Sequence, residues 1–233
     1  MSFTEALQSL RLAQKSSRGV SLYSRWLNRP LGRVFAAGAA TLGISPNVVT
    51  LLSALATAAG LVLLVLAPVS LVTGIGVAAL LVIGFALDSA DGQVARLTGA
   101  SSPAGEWLDH VVDAGKMVAV HAGVLIALWR HDAEPGWLAV ALAYQFVSVA
   151  FFAALTLFPL LRRGEATAPA AAPSTVRAVA LLPADYGILA LAFVLWGMPS
   201  AFLAVYTALF AATTLIAAAL SVKWFRQLSA SPR

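Results

Sequence analysis

The chain has 233 residues, of which 60% are hydrophobic and only 11% charged, and its mean hydropathy is +0.87. Soluble domains carry roughly a quarter charged residues, so the composition excludes a soluble enzyme and reads as a single all-α integral membrane protein. The net charge is +5 and there is no cysteine, which excludes disulfide and thiolate chemistry; no nucleic-acid partner is expected, because the basic residues form no soluble face.

The first nineteen residues, MSFTEALQSLRLAQKSSRG, lack the apolar core of a secretory signal peptide. In SLYSRWLNRPLGRVFAAGAATLG, the residues Leu22, Trp26, Leu27, Leu31, Val34 and Phe35 alternate with arginines at helical spacing. That pattern predicts an amphipathic helix lying in the membrane interface. Next, in ISPNVVT, Ser45 can cap a helix and Pro46 can take its first position. On these residues alone, a plain helix start and a functional role for Asn47 read equally well.

Six spans of about 20 residues follow, the length a bilayer core demands. They run from Asn47 to Pro68, from Val69 through Leu87, from Trp107 to Trp129, from Trp137 to Leu161, from Tyr186 to Gly197 and from Ala201 to Val222. The fifth is short and reaches span length only by starting at Pro183 or earlier. The connections APVS and GMPS are tight, so spans one and two, and five and six, should be antiparallel hairpins. RRGEATAPAAAPSTVR, after the fourth span, reads as a flexible loop.

Basic residues are strongly asymmetric. Arg11, Lys15, Arg18, Arg25, Arg29 and Arg33 precede the first span, Arg96 follows the second, Arg162, Arg163 and Arg177 follow the fourth, and Lys223, Arg226 and Arg233 follow the sixth. Only Arg130 falls on the other side. The positive-inside rule then puts both termini in the cytoplasm, with anionic membrane lipids as natural neighbours.

The stretch DSADGQVARLTGASSPAGEWLDHVVDAGK breaks the apolar pattern. Asp88 and Asp91 are three apart and share one helix face; Asp109 and Asp113 are four apart and share a face of the next helix. LTGASSPAG between them has the composition of a turn, so the two helices are expected to be adjacent, with all four carboxylates converging near the cytoplasmic end. Four such charges would repel and resist ionisation unless divalent cations joined them. Oxygen-only ligands suit hard ions such as Mg2+, Mn2+ or Ca2+, and paired ions are a known clamp for phosphoryl groups. Gly92 and Ala95 lie on roughly the same face as Asp88, and Gly105 precedes Asp109 by one turn. All three leave room for a ligand to approach the backbone, and Arg96 is within reach of a phosphate. A solvated cap would explain one aspartate pair, and a Gly-x-x-Ala packing face would explain another fragment. Neither accounts for the whole hairpin.

The spacing D-x2-D-G-x2-A-R-x8-G-x3-D-x3-D, filled by Asp88, Asp91, Gly92, Ala95, Arg96, Gly105, Asp109 and Asp113, resembles the signature of the CDP-alcohol phosphotransferase family at every defined position. Six spans, a preceding interfacial helix and the Pro-Asn-x-x-Thr opening of the first span are also similar to that family. The resemblance divides the chain into an N-terminal interfacial segment, residues 1–46, and a six-helix transmembrane domain, residues 47–233. It implies transfer of a substituted phosphoryl group from a CDP-alcohol to a second alcohol with release of CMP, in phospholipid biosynthesis, and a cofactor of two divalent cations, Mg2+ or Mn2+. Carried over, Asp88, Asp91, Asp109 and Asp113 are the metal ligands, and Asp113 also accepts the proton of the attacking hydroxyl. Asn47, Thr50, Gly92, Ala95, Arg96, Ser102 and Gly105 are the contacts to CDP. The implied partners are a CDP-linked lipid donor such as CDP-diacylglycerol and an alcohol acceptor. Members of the family also often pair as homodimers. Glycerol phosphate, inositol phosphate, inositol and serine all remain open as acceptor, as does a soluble CDP-alcohol acting on a lipid acceptor; the arginine-rich cytoplasmic face leans toward a phosphorylated polyol. The alanine-rich composition points to the plasma membrane of a bacterium.

Lys116, one turn after Asp113, can equally anchor the acceptor or pair with Asp113. Arg162, Arg163 and Arg177 can bind an acceptor phosphate, although ordinary positive-inside residues explain them better. His121 is expected to be a satisfied buried histidine, Glu106 a solvated first-turn residue, His110 a neighbour pointing off the carboxylate face, and Asp185 the cap of the fifth span. Two other classes are an aspartate-rich prenyltransferase, which gives Gly-x-x-Ala-Arg no role, and a cation-binding transporter, which would need repeats that are not visible.

Overall fold

Hydrocarbon offers no water to the N–H and C=O groups of an apolar backbone, so an open chain within it must be helical. The computed structural model describes residues 1–12, 19–162 and 174–230, and among them there is no strand. Lys15, Arg18, Arg163, Arg233 and most of the Pro/Ala-rich connection after the fourth span lie outside the described residues.

Helix α1 (Phe3–Leu12) is followed by a π-helical turn (Ser24–Asn28) that runs directly into α2 (Arg29–Thr41). Then come α3 (Pro46–Leu66), α4 (Leu71–Thr98), α5 (Pro103–Arg130), α6 (Pro135–Leu161), the short α7 (Thr175–Ala180) and α8 (Tyr186–Ala192), and α9 (Pro199–Ala230). Helices α3, α4, α5, α6 and α9 are each long and apolar enough to cross a membrane. The chain is an all-α multi-pass membrane protein. The fifth expected span is shorter: α8 continues only as a 3-10 stretch, Phe193–Gly197. It does not extend backwards. Asp185 caps α8 by accepting the Gly187 N–H (2.7 Å), and Pro183 sits in a separate 3-10 turn, Leu182–Ala184, so α7 and α8 remain distinct.

The amphipathic segment is helical as expected, but the side it turns inward is the small one. Gly32, Ala36, Ala37 and Ala39 are buried against α4 and α1, whereas Trp26 (74% exposed), Leu27 and Val34 point away from the protein. The bulky side chains are thereby left for the membrane interface. Asp185 holds the start of this segment: it accepts from the hydroxyls of Ser21 and Ser24, and Tyr23 lies against Gly187. Burial and the Asp185 charge push the Tyr23 phenol up to about 12, so the ring stays neutral there.

Helix α4 does not stop at Leu87. It continues through the aspartate motif to Thr98 and ends on Gly99, whose φ of +68° lets the N–H of Ala100 return to the carbonyl of Ala95 (3.0 Å). The expectation that α4 and α5 lie side by side is not met. Each packs along α3, and the two have almost no close backbone approach to one another. Helix α3 can take this central place because Gly84 admits it. Ser53 Oγ donates to the Gly84 carbonyl at 2.6 Å, and a Cβ on Gly84 would stand 2.6 Å from Thr57 Oγ1. A core of Leu61, Leu64, Val77, Leu81, Val120, Val124, Phe193 and Phe202 fills the bundle below the motif.

Gly84→Leu is expected to force α3 and α4 apart and to destabilise the protein by about 1–3 kcal/mol, the usual cost of overpacking. Thermal unfolding in detergent measures this, and an unchanged Tm would contradict the close approach.

Candidate active site

The N-termini of α3 and α5 and the C-terminal half of α4 meet at one end of the bundle. Helix α3 begins with Ser45 as cap, its hydroxyl accepting from the Val48 N–H (3.4 Å), and with Pro46 at the first position. Helix α5 begins in the same way, with Ser102 accepting from the Gly105 N–H (3.1 Å) and Pro103 following. Unpaired N–H groups and the helix dipole favour anions at such ends. Helix α4 brings its last three turns alongside them.

Helices α4 and α5 do not pack closely on one another, and a cavity of about 540 Å³ lies between their ends and that of α3. Its walls include Asn47, Thr50, Gly92, Ala95, Arg96, Ser102 and Gly105, together with Asp91 and Asp109. Thus all seven residues assigned to CDP by resemblance line one cavity. The two glycines form close walls: a Cβ on Gly105 would lie 3.2 Å from Asn47 Oδ1, and one on Gly92 would lie 3.3 Å from a guanidinium nitrogen of Arg96. The cavity is also lined by Pro46, Ala100, Ser101, Pro103, Glu106 and His110, none of which the resemblance assigns to CDP; the sequence alone casts Glu106 and His110 only as a solvated first-turn residue and a neighbour off the carboxylate face. Glu106 and His110 are four apart (carboxylate to imidazole 3.9 Å) and form a polar rim. Their place one position after Gly105 and Asp109 was the signal: on a helix beginning at a cavity, two adjacent columns can face it.

The four aspartates split into three and one. Carboxylate oxygens of Asp88, Asp109 and Asp113 lie within 4.8 Å of one another. Asp91 is held aside, buried at 6% exposure, with one oxygen accepting from Thr50 Oγ1 (2.6 Å) and the other from the Gly92 N–H. It shares the cavity wall with Asp109 rather than joining the triad. An anionic, oxygen-only donor set of this size fits a hard divalent cation. Lys116, only 6% exposed, pairs with Asp88 and with Asp113 (3.1 Å), so its ammonium already stands between two carboxylates.

Of the residues considered for an acceptor phosphate, Arg162 caps the end of α6, with its guanidinium 5.6 Å from the centre of the Phe158 ring, and Arg177 is in α7. Neither is among the residues lining the cavity, and Arg163 lies outside the described residues. His121 is a satisfied buried histidine. Its Nδ1 is 2.7 Å from the Tyr206 hydroxyl and its Nε2 is 2.9 Å from that of Ser148. One ring nitrogen donates and the other accepts, so the neutral ring ties α5 to α6 and α9.

No curated protein matches the chain. The model of the CDP-alcohol phosphatidyltransferase family matches residues 43–225, a stretch that starts just before the α3 cap, contains the whole aspartate hairpin and ends near the close of α9. More than three quarters of the sequence follows that pattern, and the chain belongs to the CDP-alcohol phosphatidyltransferase family.

Proposed function

We propose that the protein transfers the phosphatidyl group of CDP-diacylglycerol to a hydroxyl of a phosphorylated polyol, such as glycerol phosphate or inositol phosphate, and releases CMP. Membership of the family carries the coarser part of this statement, transfer from a CDP-alcohol in phospholipid synthesis. The observation that supports a CDP-linked donor here is the cavity in which Asn47, Thr50, Gly92, Ala95, Arg96, Ser102 and Gly105 surround a space next to a carboxylate triad; the acceptor rests on the excess of arginine at this end of the sequence's spans. A donor anchored in the bilayer suits a site at the end of membrane helices. The domain division at residue 46, a cytoplasmic location of both termini and the site, the bacterial plasma membrane and a homodimer belong to the same proposal.

In this reading the nucleotide lies along α3 and the start of α5. Arg96 and the N–H groups at the two helix starts bind its phosphates, and Gly92 and Gly105 let it approach the backbone. Asp88, Asp91, Asp109 and Asp113 would hold two divalent ions, Mg2+ or Mn2+. When bound, these supply positive charge to the phosphoryl oxygens and to the departing CMP. Thr50 fixes the Asp91 carboxylate by its hydrogen bond. Asp113 takes the proton of the acceptor hydroxyl on Oδ2, since Oδ1 is engaged by Lys116. The hydroxyl oxygen forms the new bond to phosphorus, the bond from phosphorus to the bridging oxygen breaks, and CMP leaves with that electron pair. The acceptor's phosphate would meet the cations of Arg162, Arg163 and Arg177, or that of Lys116.

The test is CMP release by the purified protein in detergent, with CDP-diacylglycerol, Mg2+ or Mn2+, and candidate alcohols added one at a time. Release is expected only with a phosphorylated polyol; release with serine or unphosphorylated inositol instead would overturn the acceptor assignment. Asp113→Asn should lower turnover by about 10²–10⁴-fold, the usual worth of a general base, while leaving CDP binding within a few-fold. Normal turnover in that variant would remove Asp113 from the role. Asp88→Ala and Asp91→Ala should each lose Mn2+ binding and activity together, and a titration unchanged in both would place the metals elsewhere.

A further inference from the structure

Three carboxylates whose oxygens lie within 4.8 Å of one another repel unless a positive charge stands among them. The fold supplies one from its own chain. Lys116 reaches from α5, one turn beyond Asp113, across the cleft to Asp88 on α4 while also pairing with Asp113. Its side chain is 6% exposed, so the long aliphatic stem is packed and the ammonium has little access to solvent. An ammonium is a compact point charge, and this one touches two of the three carboxylates that would ligate a cation.

We infer that Lys116 is a built-in competitor for the divalent-cation site: its ammonium occupies the carboxylate cluster when no metal is bound, holds α4 and α5 together there, and must leave Asp88 before the site fills. This rests on the proposed metal-binding role of the aspartates and adds what that role does not contain, an internal cation that sets the affinity. Two consequences are linked. Removing the ammonium should tighten binding of a divalent ion, and it should weaken the protein only while the metal is absent. A lysine that merely packs the bundle would cost the same stability in both states.

The experiment is a titration of the full chain in detergent with Mn2+ alone, reading free Mn2+ by electron paramagnetic resonance, alongside Tm with and without saturating Mn2+. Lys116→Met keeps the stem, and Lys116→Gln keeps a hydrogen-bond donor should the first fail to fold. Lys223→Gln, at the far end of α9, removes one positive charge elsewhere. Either Lys116 variant is expected to bind Mn2+ at least tenfold more tightly than the wild type. Its Tm should fall in the metal-free state and return to within a degree or so of wild type when Mn2+ saturates, because ligand binding to the folded state offsets the loss. Lys223→Gln should change affinity less than twofold. The inference alone is overturned if the wild type binds Mn2+ and the Lys116 variants bind it no more tightly, or if Lys223→Gln tightens binding equally. If neither wild type nor variant binds Mn2+, the metal-binding role of the aspartates falls with it.

Discussion

Mutual repulsion of the aspartates is the constraint around which this protein is arranged. Carboxylates on α4 and α5 face each other at the end of an apolar bundle, where charges are poorly screened and each must find a partner. The fold answers differently for each. Thr50 and the Gly92 N–H satisfy Asp91, while Lys116 satisfies Asp88 and Asp113 together. These contacts come from three helices, so the order of the site depends on how α3, α4 and α5 are mutually placed. Anything that shifts one of them alters the spacing of the charges.

That placement comes from small residues rather than from the motif. Helix α3 approaches α4 so closely at Gly84 that a serine hydroxyl reaches the opposing backbone, and α5 leans on α3 where Gly123 faces Leu61. With α3 serving as the common support, α4 and α5 need not pack on one another. The cavity lies between their ends and the start of α3. Two antiparallel helices packed directly on one another would have brought the same four aspartates together with no room for a nucleotide. In membranes, where apolar side chains gain little by leaving lipid, close backbone approach of this kind is a main source of helix association.

Behind the site, the His121–Tyr206–Ser148 bonds and the Asp185–Ser21–Ser24 clamp secure the parts of the bundle that the motif does not touch. The first joins α5, α6 and α9 by polar contacts within the span. The second ties the interfacial segment to the start of α8, and thereby seats the small face of α2 along the half of α4 that bears the aspartates. Gly32 is part of that seat, since a Cβ there would fall 2.8 Å from Ser89 Oγ. Helix α2 is therefore a support for the aspartate-bearing half of α4.

How much of this was legible in the sequence differs by kind of information. Hydrophobic length and the asymmetry of basic residues depend only on local composition against a slab of lipid, so the membrane class and five of the spans could be read directly. Helix caps are equally local: Ser45-Pro46 and Asp185 each act within a few residues, and each caps where the sequence indicated. The motif spacing carried the family, because fixed gaps along two helices encode one shared face on each. The length of the fifth span was less clear, since Pro183 permits either continuation or a break. Only tertiary structure decided which neighbours meet. That α4 and α5 part around α3, that Asp91 turns to Thr50 while the other three carboxylates cluster, that Glu106 and His110 form the rim and that Lys116 binds two aspartates at once all depend on contacts between residues distant in the chain. Helical periodicity specifies a direction around one axis, and it contains nothing about the distance or angle to the next.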